Sequence, residues 1–170
     1  MEKKISSWHV GIAAEAFVAA QFARYGFDVS VQYGANQPEY DLIASKNDVM
    51  MKISVKGSQD GGWGLTQNYK KNCDYHEAIN RWLKAHGKKT LFCLVQFQDV
   101  EDSDLPRMYL ATPEEIADVL HASRDGAGET VLREHHEWGP RALAAGSVDQ
   151  LPSTWIFSKA RAEELFCSMG

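Results

Sequence analysis

Cysteine is scarce in this chain and poorly placed for structural chemistry. Cys73, Cys93 and Cys167 stand at wide spacings with no Cys-x-x-Cys pair. That pattern argues against both a structural zinc site and a disulfide framework. Long apolar runs are lacking too. The longest strongly apolar one, Leu91 to Val95, falls far short of the roughly 20 residues a bilayer-spanning helix needs. The opening Met-Glu-Lys-Lys-Ile-Ser-Ser-Trp has no apolar stretch followed by a small-residue cleavage site, so nothing suggests export. The expected compartment is the cytoplasm, with no membrane partner. No repeat, low-complexity tract or linker divides the sequence.

What is present suits a packed domain. The 170 residues are 44% hydrophobic, 24% charged and 11% aromatic, which excludes disorder and fibrous repeats. One domain over residues 1–170 is expected from that length. The net charge of −5 gives no general signal for nucleic acid, but its distribution does. Between Lys52 and Lys89 eight basic residues face three acids, leaving the remainder at −10. Such a split marks a candidate anion-binding face on an acidic body. Arg81, Lys84, Lys88 and Lys89 are explained equally well as the solvated face of a helix. Lys52 and Lys56 are not, since they sit inside an apolar strand pattern.

The pattern along the chain predicts a mixed α/β fold. A helix capped by Ser7 is expected from about Trp8 to Tyr25, with Ile12, Ala16, Ala19, Ala20 and Ala23, and Val10 and Phe17 nearby, as its apolar positions, closed by Gly26. Strands follow at 27–31, 40–45 and 49–56, with a turn at 34–38 and a hairpin connection at 46–48. The glycine-rich stretch 57–64 reads as an irregular loop. A helix at 74–86 closed by Gly87 precedes strands at 91–97 and 107–111. Thr112-Pro113-Glu114-Glu115 is a capping box for a helix to about His121. A strand at 130–138 and a short helix capped by Ser158 and running to Leu165 complete the chain.

Chemistry concentrates in the middle strand pair. Asp41 opens an otherwise apolar strand, and Lys56 ends one. Strand side chains alternate between faces, so Lys52, Ser54 and Lys56 project together, opposite Met51, Ile53 and Val55. Asp41 and Lys56 alone would be an ordinary cross-strand ion pair. Glu15, the one acid within an alanine-rich helix, adds a third member, either on a solvated face or turned to a polar site.

Glu15, Asp41 and a strand ending in Lys56 together resemble the PD-(D/E)XK nuclease superfamily, closest to its small Holliday-junction-resolvase and homing-endonuclease members, over roughly residues 9–57. The resemblance implies a restriction-endonuclease-like fold, a central mixed sheet flanked by helices. It also implies an endonuclease that hydrolyses phosphodiester bonds in DNA with Mg²⁺ or Mn²⁺, and the possibility of a homodimer. Asp41 would be the principal metal ligand, Glu15 would bind or orient the same ion, and Lys56 would stabilise charge at the phosphate. Such roles suit a hard cation that keeps several waters and activates one, and an ammonium acting on phosphate as a point charge.

One position departs from the pattern: the acid two residues before the lysine is Ser54. Glu39 and Asp60 are candidate substitutes. The alternative is a non-catalytic DNA-binding or protein-interaction module that keeps the nuclease fold. Lys52, Lys70 and Lys71 are candidate phosphate contacts, and Trp63, in the glycine-rich stretch, is either a base-stacking platform or the anchor of a surface loop. Trp8, Trp82, Trp138 and Trp155 are expected as core or edge anchors. His76, His135 and His136 show no metal-ligand spacing.

Overall fold

The structure, a computed structural model, describes residues 4–32, 39–86 and 89–170. The turn expected at 34–38 and the closing Gly87 lie outside the described residues. In chain order the elements are α1 (Ser7–Arg24), β1 (Asp28–Val31), β2 (Leu42–Lys46), β3 (Val49–Ser58), β4 (Gly62–Gly64), α2 (Tyr75–Ala85), β5 (Thr90–Gln96), β6 (Arg107–Ala111), α3 (Pro113–Ala122), β7 (Val131–Arg133), β8 (His135–Glu137), β9 (Val148–Gln150) and α4 (Lys159–Met169). They group into two compact units. One comprises Met1–Asp60, Lys89–Ala111 and Thr154–Gly170, the other Gly61–Lys88 and Thr112–Ser153.

The first unit is built on a five-stranded mixed sheet in the order β1-β2-β3-β5-β6, parallel only between β3 and β5. This is the central mixed sheet with packed helices that the sequence predicts. The β2–β3 hairpin turns through Asn47 and Asp48, both at positive φ (50° and 64°). Two-residue hairpins need that conformation to match strand twist, and Asn and Asp tolerate it.

Helix α1 starts one residue earlier than expected, because Ser6 rather than Ser7 is the cap, accepting from the His9 backbone N–H at 3.3 Å. Its end is a Schellman motif: Gly26 at φ 82° donates to Ala23 O, and Phe27 N donates to Phe22 O.

The face of α1 that packs matches the expected apolar positions only at Val10 and, partly buried, Ala19. Val10, Ala14, Val18, Gln21 and Phe22 are buried, whereas Ile12, Ala16, Ala20 and Ala23 are exposed. The helix is apolar all round, so periodicity alone could not choose a side. Ala14, Val18 and Phe22 join Leu42, Ala44, Met51, Ile53, Val55, Leu91, Cys93, Val95 and Leu110 in one core. Phe157, Ala162, Leu165 and Phe166 reach the same core from the C-terminal segment, and α4 runs to Met169 rather than stopping at Leu165. Phe22 packs on Phe157 and Phe27 on Phe166, each with ring centroids 4.6 Å apart. Cys93 is fully buried in that core, as the small hydrophobe its apolar run implies.

The second unit contains α2, capped by Asp74 accepting from Glu77 N at 2.8 Å, and α3, with the full Thr112/Glu115 capping box. Two short antiparallel pairs, β4–β7 and β8–β9, complete it. Part of the expected loop 57–64 is therefore strand: β3 continues to Ser58, and Gly62–Gly64 pairs with Val131–Arg133. The single strand expected at 130–138 is two, interrupted at Glu134.

Gly57 fixes how closely α1 approaches β3. A Cβ there would lie 2.8 Å from Val10 Cγ1, 3.0 Å from Val10 O and 3.1 Å from Ala14 Cβ. Backbone on one side cannot yield cheaply, so overpacking of this kind costs about 1–3 kcal/mol. Gly57→Ala should lower unfolding free energy by that amount in urea denaturation, with the m-value unchanged. Neutral or increased stability would mean that α1 is not held against β3 at this point.

Candidate functional site

Asp41 is fixed by three hydrogen bonds at the mouth of β2. Its backbone N–H donates to Ile53 O at 2.9 Å, and its carbonyl accepts from Gln32 N at 2.9 Å. Its carboxylate Oδ2 accepts from Val55 N at 2.6 Å. The β2–β3 register runs Leu42 to Ile53, so the ladder ends here with a side-chain acceptor in place of a backbone one. Val55 is the residue between Ser54 and Lys56, and the bond ties Asp41 to the strand end that carries both. A carboxylate offers roughly four acceptor sites, so this bond leaves capacity for a cation.

Glu15 reaches the same place from α1, one residue beyond the buried Ala14. Burial holds its carboxyl above the ordinary carboxylate range, the Asp41 carboxylate pushes it the same way, and the Lys56 ammonium opposes both. Glu15 therefore lies within electrostatic reach of Asp41 and Lys56, so residues from a helix, a strand mouth and a strand end share one neighbourhood. Two acids that repel each other beside a cation are the arrangement that a bound divalent ion relieves.

Ser54 is 1% exposed. Its register partner Phe92 is buried as well, so position 54 sits under cover while Lys56 is exposed. The proposed substitute acids supply no third carboxylate. Glu39 is exposed, and Asp60 accepts from Ser58 Oγ at 3.0 Å, two residues away. Among the described residues no group of three or more His, Cys, Asp or Glu could hold a metal ion. Asp41 and Glu15 offer two carboxylates, a set that would fit Mg²⁺, an ion commonly held by one or two carboxylates with several retained waters.

The expected nucleic-acid contacts fare unevenly. Trp63 is 3% exposed and sits in β4 opposite Leu132, so it is an anchor and offers no stacking face. The Lys70 ammonium donates to Cys73 O at 2.9 Å and lies 4.7 Å from the Tyr75 ring centroid, which occupies it locally. Lys71 is exposed, and its carbonyl accepts from Arg81. Arg81 also pairs with Glu77 one helical turn away, the pattern of a solvated helix. Lys52 is exposed with its ammonium 5.2 Å from the Tyr40 ring centroid. Lys52 and Lys56 belong to the first unit, whereas Lys70 and Lys71 belong to the second.

No protein-family model matches the chain, and no curated protein matches it in sequence. Similarity is found among solved structures. The 1.6 Å structure of Hjc from Archaeoglobus fulgidus, a Holliday junction resolvase from an archaeal hyperthermophile, is 15% identical with a TM-score of 0.38, over 62% of this chain and 79% of that one. Among the described residues no helix is long and apolar enough to cross a membrane.

Two features escape sequence reasoning. Trp8 is 67% exposed rather than an anchor. His76 and His121, from α2 and α3, place their Nδ1 atoms 2.7 Å apart with rings stacked at 5.0 Å. Burial and the neighbouring His76 lower the His121 pKa, against the Asp118 carboxylate. A separation of 45 residues gives this pair no local signal.

The Glu15 environment is testable by titration. Asp41 raises its pKa and Lys56 lowers it, so Asp41→Asn should lower the Glu15 value and Lys56→Met should raise it, read by ¹³C carboxyl NMR. The folded chain holds this proton more tightly than the unfolded one. The corresponding stability is therefore fully present below the ordinary glutamate pKa and is lost as pH rises through the raised value. A Glu15 titration unmoved by either substitution would separate it from both residues.

Proposed function

We propose that the chain is a divalent-cation-dependent nuclease hydrolysing phosphodiester bonds in DNA, with Glu15, Asp41 and Lys56 as its working residues. The observation that carries this reading is the Asp41 carboxylate, held at 2.6 Å by the Val55 N–H between Ser54 and Lys56, with Glu15 within electrostatic reach of both Asp41 and Lys56. Mg²⁺ or Mn²⁺ held by Asp41 and Glu15 would polarise the phosphate and lower the pKa of a bound water.

The side chains divide the remaining work. Asp41, already anchored by Val55 N–H, presents its carboxylate without reorganisation. Glu15 in the cation-free protein holds its proton more readily than an ordinary glutamate, and releases it as a cation arrives. Lys56 supplies positive charge to phosphate oxygens where negative charge builds as the bond to the leaving oxygen breaks. Ser54 contributes no charge, so cation affinity rests on two carboxylates and should be modest.

The second reading, a DNA-binding or protein-interaction module on the same fold, is favoured by that same neutral, buried Ser54. Plasmid cleavage in Mg²⁺ and in Mn²⁺ separates the two. Asp41→Asn keeps an oxygen to accept from Val55 N–H while removing the charge, and should abolish cleavage. Lys56→Ala should lower the rate by about 10²–10³-fold while leaving Mn²⁺ affinity within a few-fold. Wild-type protein that is inert with both ions on plasmid, single-stranded and branched DNA would leave the module reading.

A further inference from the structure

Three exposed apolar residues stand at or near the start of α1: Ile5 at 51%, Trp8 at 67% and Ile12 at 48%. A tryptophan exposed to this degree leaves most of a large apolar ring in water, and Trp8 and Ile12 line one cavity, an arrangement that marks an interaction site. Trp8 and Glu15 are seven residues apart in the helix, so they lie on nearly the same side, separated by about 10 Å along the axis. One cavity of about 560 Å³ is lined by both, together with Gly11, Ile12, Val31 and Gln32.

Gly11 sharpens the picture. It lies inside α1, where glycine weakens a helix relative to alanine. A Cβ there would meet nothing within 4 Å. Packing therefore gives no reason for glycine at this position, whereas a ligand lying along the groove between Trp8 and Glu15 does. An occupant suited to both ends of the groove combines a flat π-face for the indole with a group that a divalent cation held at Glu15, as in the nuclease reading, would attract. An unstacked nucleotide has both: a base to lie on Trp8 and a phosphate chain leading towards Glu15.

We propose that Trp8 is a base-stacking platform that makes the groove selective for unpaired nucleotides, so that the preferred DNA is single-stranded or locally opened next to the scissile phosphate. This rests on the nuclease reading for its direction along the groove, but the binding itself requires no turnover. Trp8 is also its own reporter. Trp63, Trp82 and Trp155 are buried, and the half-buried Trp138 donates its indole N–H to Asp149.

The test is quenching of tryptophan fluorescence by a short oligodeoxythymidylate and by a fully paired hairpin duplex, in EDTA and in Mg²⁺. The oligonucleotide should quench the exposed emission and bind more tightly than the duplex. Trp8→Ala should weaken oligonucleotide binding by about tenfold with little effect on the duplex, and Trp8→Phe should restore most of it. Gly11→Leu should weaken binding while holding or raising Tm, a divergence that a purely structural role would not produce. Equal oligonucleotide affinity for wild type and Trp8→Ala would overturn the proposal. So would a wild-type dimer that Trp8→Ala converts to monomer, since a second copy would then cover the groove. Quenching without cleavage would remove the nuclease reading and keep the platform; cleavage without quenching would do the reverse.

Discussion

The close approach of α1 to β3 at Gly57 is the constraint on which the candidate site depends. Without a side chain at that position, Val10 and Ala14 come down onto the strand end, and Ala14, Val18 and Phe22 bury against Ile53, Val55 and their neighbours in β2 and β5. That contact rotates α1 so that Glu15, immediately after Ala14, lies beside the sheet within reach of Asp41 and Lys56. The same rotation turns Trp8 and Ile12 outward. The glycine thus permits the close approach from which both the acid's position and the exposed groove follow.

The bond from Val55 N–H to Asp41 supplies the second element of order. A strand that simply ended would leave this N–H to water; here it is used to hold a carboxylate. The side chain is fixed by β3, its own backbone by β3 and by Gln32, and its charge acts on a glutamate from another element. Burial first, and then the neighbouring Asp41 carboxylate, raise the proton affinity of Glu15 against the Lys56 ammonium. A divalent ion would complete the charge balance, and with Ser54 neutral and covered, that balance rests on two carboxylates.

The order Glu15, Asp41, Lys56 was legible because each residue breaks a local pattern: a charge in an alanine-rich helix, an acid opening an apolar strand, a lysine inside one that continues to Ser58. The hairpin at Asn47-Asp48 and the Thr112 capping box were legible for a related reason, since turn and cap chemistry is local. What remained hidden depends on partners distant in sequence. Trp63 looked available in a glycine-rich stretch, but β4 pairs it with Leu132 and buries it. The outward turn of Trp8 was hidden because α1 carries apolar residues on every side, and the core residues its buried face meets lie far along the chain. Lys70 carried a formal charge in a basic block, yet its ammonium is taken up by Cys73 O and the Tyr75 ring.

The central claim is that Glu15 and Asp41 together hold a divalent cation at the end of β3. Anomalous diffraction from crystals soaked in Mn²⁺ tests it most directly. The account predicts a manganese peak within about 2.0–2.4 Å of oxygens from both carboxylates, with the remaining coordination positions filled by water. A peak held by other residues, or none at millimolar Mn²⁺ with both carboxylates ordered, would contradict it.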